Sequence, residues 1–327
     1  MSTTYDIAQR AGLNQSTVSR ALAGSPLVNL ETVRRVRQIG RELGYVANVQ
    51  ARGLKTRRTQ ALAVHLPQGS ETVLADPFVP AFLCGISGEA ARHGYSVILS
   101  HLAAGPRRRS DLPAMVTSRR ADGVILASPR RDDPRLEALV RQGIPVVAGR
   151  VEGPWSDRVG CVDIDNRRSG RLAARHFLRQ GMRRLGLVVE EEACQVGGDF
   201  RAGFCEALAA AGVPPEPGWL RHVPVSFEAA FQAASGLLAG PVVPEAIIAD
   251  TALTVFGVLE AVRQSGRPTA VLGVGSPLLR ALHPELAYIR APVVELGRQM
   301  VRALLAQLRD GSVPAPRLLH TTIAGGA

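Results

Sequence analysis

The sequence predicts an α/β protein in two parts: a small all-α module, then a larger bilobed body built on doubly wound parallel sheets. Three observations predict it. Residues 3–44 carry caps and breaks at the spacing of short packed helices. From residue 61 onward, short apolar runs alternate with amphipathic segments in units of roughly 25–30 residues. The chain has 327 residues, 46% of them hydrophobic, enough for one small and one large folded region.

In the first helix Ile7, Ala8 and Ala11 form an apolar stripe, and Gly12-Leu13-Asn14 breaks it. Asn14 offers a side-chain cap to a second helix, Gln15 to Ala23, which Gly24 closes. A third helix opens at Asn29, turns Val33, Val36 and Leu43 inward, and stops at Gly44. Two short helices joined by a tight turn and packed on a third are the unit that places a recognition helix in the major groove of DNA. Charge points the same way. Residues 1–60 hold ten basic and three acidic side chains, a net +7 of the whole chain's +11. Such an excess on a small unit suits a phosphate-binding surface, because neutralised phosphates release counterions.

In the body, strand-like runs fall at 61–66, 96–100, 123–127, 145–148, 185–189, 246–249 and 270–274. Helical patterns fall at 82–93, 112–118, 134–142, 169–180, 200–211, 227–238, 253–265 and 293–309. This alternation predicts parallel sheets covered by helices on both faces. Sheets of that kind bind ligands in a crevice at the carboxyl ends of their strands.

Other classes find little support. Cys84, Cys161, Cys194 and Cys205 form no C-x-x-C pair, which suits free thiols in a reducing cytoplasm. The N-terminus has no apolar h-region and no 18-residue apolar run occurs, so neither secretion nor membrane insertion is expected. The seven histidines show no H-x-x-x-H spacing, and neither G-x-S-x-G nor a P-loop is present. Gly273-Val274-Gly275 lacks the third glycine of a dinucleotide fingerprint. The expectation is a protein that is not an enzyme and needs neither cofactor nor metal.

The N-terminal pattern resembles the LacI-type (LacI/GalR) bacterial transcriptional regulators. The matching residues are Tyr5-Asp6-Ile7-Ala8, Ala11-Gly12-Leu13, Thr17-Val18-Ser19-Arg20, Val28, Thr32, Leu43-Gly44-Tyr45, Asn48, Ala51, Arg52 and Leu54. The resemblance implies that Gln15, Ser16, Ser19 and Arg20 face the major groove, while Tyr5, Thr17, Thr32 and Asn48 touch the backbone; Asn29 joins this DNA-facing set. It also implies a hinge helix over Asn48–Lys55 that orders on operator DNA, carrying Ala51 and Arg52 and wedging Leu54 into the minor groove. The family's usual Pro before the hinge Asn is Ala47 here.

The resemblance continues through Asp165-Asn166, Leu286 to Pro292 and Glu295-Leu296-Gly297. It implies a body like periplasmic sugar-binding proteins, with crossovers near Val162, Arg290 and His320. The implied organisation is a DNA-binding domain over 1–46, a hinge over 47–60, and an effector-binding and dimerisation domain over 61–327. Its first lobe would span 61–161 and 291–319, its second 162–290 and 320–327.

The expected effector site comprises Asp76, Phe78, Phe82, Ser128, Arg150, Arg201, Phe227, Asp250 and Gly275, with Phe227 a candidate flat wall for a sugar ring. Departures from the family pattern stand out. Arg150 replaces a usual Asp, Gly275 a usual acid, Asp250-Thr251 a usual Asn-Asp, and Arg201 is shifted by one from the customary Arg. An Arg fork suits a carboxylate or phosphate, so an acidic sugar joins neutral sugars as a candidate effector; Arg150 paired with Asp250 is the structural alternative. The expected partners are operator DNA, the effector and a second copy of the chain, in the cytoplasm, with no membrane. A regulator controlled by a protein co-repressor is an alternative. A transport-type sugar-binding protein would need a signal peptide and would lack the basic module.

Overall fold

A computed structural model describes residues 2–45, 58–66, 75–100, 112–130, 132–191 and 194–325. The chain forms two compact units, Met1–Thr59 and Gln60–Ala327. The expected hinge residues Asn48, Ala51, Arg52 and Leu54, with Ala47, lie outside the described residues. No described helix is long and apolar enough to cross a membrane.

In the first unit α1 (Thr4–Ala11) opens on a capping box in which Asp6 Oδ2 accepts from the Thr3 N–H at 2.7 Å. Gly12 closes it at φ +64°, a left-handed conformation open to glycine at little cost. At α2 (Gln15–Leu22) one expectation is corrected: Asn14 is the N-cap, but its side chain makes no capping bond. Asn14 is exposed to competing water, and the turn is held by the backbone, with the Leu13 N–H on the Ala8 carbonyl at 3.0 Å. Asn29 does cap α3 (Leu30–Glu42), its Oδ1 accepting from the Thr32 N–H at 2.7 Å. The three helices bury Ile7, Ala8, Ala11, Val18, Ala21, Val33, Val36 and Ile39 together, with Leu43 at the rim.

The second unit contains two sheets. The first holds β1 (Ala61–His65), β2 (Ser96–Ser100), β3 (Gly123–Leu126), β4 (Val146–Ala148), β5 (Gly160–Ile164) and β11 (Arg317–Leu319), ordered β11-β5-β4-β3-β1-β2 and parallel throughout. Leu62 and Val64 face α4 (Phe78–Arg92) and α12 (Val293–Asp310). Ala63 and Val124 face α5 (Leu112–Thr117) and α6 (Pro134–Arg141).

The second sheet holds β6 (Leu185–Glu190), β7 (Leu220–Val223), β8 (Ala246–Ala249), β9 (Ala270–Val274), β10 (Tyr288–Arg290) and β12 (Thr322–Ala324). Its order is β12-β10-β9-β8-β6-β7, parallel except for the β10–β12 pair. Leu187 and Ile248 pack under α7 (Asn166–Arg179) and α8 (Gln195–Ala210). Val188 and Ile247 pack under α9 (Phe227–Leu238) and α10 (Ala252–Ser265). A short α11 (Pro277–Leu282) follows β9.

The chain passes between the sheets after Ile164, Arg290 and Leu319. A lobe boundary between 161 and 162 therefore cuts β5, whose five residues all belong to the first sheet because they pair with β4 and β11.

Helices α7 and α8 cross in close backbone contact. A Cβ on Gly203 of α8 would fall on the Arg167 carbonyl of α7, and one on Gly170 of α7 on the Phe200 carbonyl of α8. Gly203→Ala therefore overpacks a backbone-to-backbone contact and should cost about 1–3 kcal/mol, read as a lower urea midpoint at unchanged slope. An unchanged midpoint would contradict this packing.

Candidate functional site

On the first unit, burial of Val18 and Ala21 turns the opposite face of α2 to solvent. Gln15, Ser16 and Arg20 are exposed there, and Thr17 and Ser19 are half-buried. Gln15 Nε2 donates to Thr4 Oγ1 at 2.9 Å, fixing the side chain that starts the helix. Tyr5 is exposed on α1, where its hydroxyl accepts from Gln9 Nε2 at 3.5 Å. The Asn29 cap leaves the start of α3 open to solvent beside the half-buried Thr32. Arg10 pairs with Glu42 at 3.7 Å; among the described residues Arg20, Arg34, Arg35, Arg37 and Arg41 have no ion-pair partner. This face can contact phosphates and base edges.

The second unit contains a cleft of about 490 Å³ at the carboxyl ends of its strands. Asp76 and Phe78 reach it from the start of α4, and Ser128 and Arg130 from the loop after β3. Asp163 and Glu190 reach it from the ends of β5 and β6, and Asp250 and Gly275 from the turns after β8 and β9. Several contacts join the lobes across it. Asp76 Oδ2 accepts from the Leu253 N–H at 3.2 Å, and Ser128 Oγ lies 3.3 Å from Cys194 Sγ. Arg130 meets Glu191 at 3.3 Å, and Arg150 meets Asp199 at 3.4 Å.

The cleft is rich in buried carboxyl groups. Asp250 is 5% exposed; its Oδ2 accepts from the Glu190 N–H at 2.9 Å, and its Oδ1 has no hydrogen-bond partner. Burial, with the Glu190 carboxylate beside it, pushes the Asp250 carboxyl up to about 8. Burial pushes Asp163 up to about 6, and burial also raises Asp76 and Glu190. The Cys194 thiol is pushed up to about 12, by burial first and by Glu190 second, so it is a poor nucleophile.

Five of the nine expected effector residues line the cleft: Asp76, Phe78, Ser128, Asp250 and Gly275. Four do not. Phe82 is fully buried in the core, stacked on Phe78 with ring centroids 5.5 Å apart. Phe227 stacks on Phe231 at the start of α9, in a parallel pair 6.3 Å apart. Arg201 is half-buried on α8 outside the wall. Arg150 makes neither of its expected contacts, because Glu152 at 2.8 Å and Asp199 at 3.4 Å take up its guanidinium.

Comparison with known proteins decides the family. Residues 61–312 match the periplasmic binding proteins and sugar binding domain of the LacI family, and residues 3–48 match the bacterial regulatory proteins of the lacI family. The chain belongs to the LacI family. It is a DNA-binding transcriptional regulator, not an enzyme. Among relatives, the HTH-type transcriptional regulator CelR of Thermobifida fusca is 30% identical over 322 residues, 97% of this chain and 94% of that one. The HTH-type transcriptional repressor CytR of Escherichia coli (strain K12) is 26% identical over 95% of this chain and 91% of its own. A solved CelR–cellobiose complex superposes with a TM-score of 0.75 at 29% identity, covering 99% of this chain and 98% of its own. A lac repressor dimer bound to operator and an anti-inducer shares the fold, at TM-score 0.81 and 21% identity over 99% of this chain and 97% of its own.

Sequence reasoning missed several residues of this LacI-family cleft: Asp163, Glu190, Glu191, Cys194, Arg130 and Arg135. Glu190 carried a usable signal, as the first polar residue after the apolar run 185–189. Arg135 carried none. It is buried through its pair with Asp133 and a 2.6 Å contact from its Nη1 to His65 Nε2.

Proposed function

We propose that the protein is a cytoplasmic, dimeric repressor whose operator affinity is set by a carbohydrate in the cleft of its second unit. The observation that carries this reading is the unpartnered, buried Oδ1 of Asp250, a residue in the wall of a cleft lined by further carboxyl groups. Carboxylates accept paired hydrogen bonds from vicinal hydroxyls, and Phe78, Val274 and Val293 supply apolar wall. The named ligand of the CelR relative, cellobiose, supports the same ligand class. An acidic sugar is disfavoured, because Arg130, Arg135 and Arg150 are each already paired with an acid.

DNA reading is assigned to Gln15, Ser16, Ser19 and Arg20 on α2, with Tyr5, Thr17, Asn29 and Thr32 on the phosphates and Asn48, Ala51, Arg52 and Leu54 in the hinge. One recognition helix reads only a half-site, so a two-fold dimer suits a pseudo-palindromic operator. Leu278 and Leu282, exposed on α11, supply apolar surface for such pairing.

An operator selected in vitro from random DNA tests this assignment by gel shift at fixed salt. Arg20→Ala should weaken binding by about 1–3 kcal/mol. Unchanged affinity would refute the docking of α2.

A further inference from the structure

The cleft holds more acid groups than a neutral sugar needs. Asp76, Asp163, Glu190 and Asp250 line it, and none has an ion-pair partner among the described residues. The arginines in and beside the wall are taken: Arg130 by Glu191 at 3.3 Å, Arg135 by Asp133, and Arg150 by Glu152 and Asp199. Asp76, Glu190 and Asp250 are brought together by two hydrogen bonds: the Glu190 N–H donates to Asp250 at 2.9 Å, and the Leu253 N–H, three residues beyond Asp250, donates to Asp76 at 3.2 Å. Burial first, and then repulsion from Glu190 and Asp76, disfavours charge on Asp250; burial, with Glu191 and Asp76, does the same to Glu190, which Arg130 only partly offsets. A separate observation points to a bound group. Asp250 is 5% exposed, and its Oδ1 is buried without a hydrogen-bond partner. The other bonds of this trio are backbone N–H donations, from Phe78 and Leu253 to Asp76 and from Glu190 to Asp250, and one side-chain bond between Cys194 and Glu190.

Sugar hydroxyls can donate to such oxygens, but they do not offset the repulsion that ionising all three acids would bring. An ammonium group does both, with three donors and a full positive charge. The whole chain's +11 gives a cationic ligand no general attraction, so any preference for one must come from this local arrangement.

We propose that the ligand of the cleft is an amine-bearing carbohydrate, an amino sugar or amino-oligosaccharide, with its ammonium group held among Asp76, Glu190 and Asp250. The proposal rests on the reading of the cleft as a carbohydrate site. The volume of about 490 Å³ falls within the range of small-ligand pockets.

The test uses three β-1,4-linked disaccharides that differ only at C2: cellobiose with hydroxyls, chitobiose with free amines, and N,N′-diacetylchitobiose with acetylated amines. Each is titrated into the full chain by calorimetry at neutral pH, with thermal shift as a second readout. Chitobiose should bind at least tenfold tighter than either of the others. In Glu190→Gln, and independently in Asp76→Asn, that preference should fall below threefold while cellobiose affinity changes less. Two separate variants guard against one failing to fold. Cellobiose binding as tightly as chitobiose, or more tightly, overturns the amine proposal and leaves the carbohydrate reading standing. Binding of none of the three overturns the proposal and counts against the carbohydrate reading as well.

Discussion

Asp250→Asn is expected to yield a protein that no longer responds to its effector yet is more stable than the parent at pH 8. The first effect follows from the unpartnered Oδ1, which an amide nitrogen replaces with a donor or a weaker acceptor. A ligand hydroxyl left without its acceptor in a buried site costs about 1–3 kcal/mol, so effector affinity should fall on the order of 5- to 150-fold. The second effect follows from proton binding. In the folded chain the Asp250 carboxyl titrates near 8, against an ordinary value of 3.8. Between those pH values the folded state holds a proton that the unfolded state has released. Stability from this group is therefore complete below about pH 4 and is lost as pH rises to about 8. Each pKa unit corresponds to about 1.4 kcal/mol, so the loss is on the order of several kcal/mol. The Asn variant lacks this slope. Urea midpoints of the two proteins should lie close at pH 5 and diverge toward pH 8, with the variant higher. Parallel profiles would mean that Asp250 is not buried against its neighbours as described.

Asp133→Ala should be the most damaging of the simple side-chain truncations beside the cleft. Burial works against the charge of Asp133, but the hydrogen bonds and charge of Arg135 outweigh it and hold the carboxyl below its usual range. The pair is almost fully buried, at 1% and 7% side-chain exposure. Removing one partner strands the other charge, at a cost of about 3–5 kcal/mol. Asp133 also caps α6, accepting from the Arg135 N–H at 3.0 Å, and it accepts from the Arg130 N–H at 3.2 Å. Asp133→Asn keeps an acceptor for the cap and should cost less than Ala. Equal losses in Asn and Ala, measured by urea denaturation, would assign the role to the charge alone.

The sequence made the strong elements legible because their periodicity is long and clean. The runs at 96–100, 246–249 and 270–274 coincide with β2, β8 and β9, and the helix at 227–238 with α9. The missed strands β5, β7, β10, β11 and β12 have three to five residues; β7, β10 and β11 include an Arg and β5 an Asp. They exist through pairing with neighbours, which a local pattern does not contain. Two helices begin four or more residues earlier than their patterns. α4 starts at Phe78, ahead of Pro80, and α8 starts at Gln195, ahead of Gly197-Gly198. Those breakers suggested loops, yet Gly197 is needed where a Cβ would meet the Glu190 carbonyl at 2.5 Å.

The cleft was half legible for a related reason. Asp76, Ser128, Asp250 and Gly275 follow strands or open helices, so position alone nominated them. Arg150 misled, since its acidic neighbour Asp199 lies 49 residues away in sequence and meets it only across the lobes. A lone acid ending an apolar strand, such as Glu190, marks a position at the strand end but not its partners. Its meaning appears only when Asp76 and Asp250 stand beside it.

The central claim is that one ligand in the cleft and one operator on the helix-turn-helix unit bias the same equilibrium. Linkage makes this measurable, because each must change the affinity of the other by one common factor, typically about 5- to 150-fold. The decisive measurement is a pair of titrations at one salt concentration. Operator affinity is read by fluorescence anisotropy with and without the disaccharide that binds the chain, and disaccharide affinity is read by calorimetry with and without operator. The account predicts two equal ratios, both well away from one, and both returning to one in Asp250→Asn. A disaccharide that binds in the cleft while leaving operator affinity unchanged would contradict it.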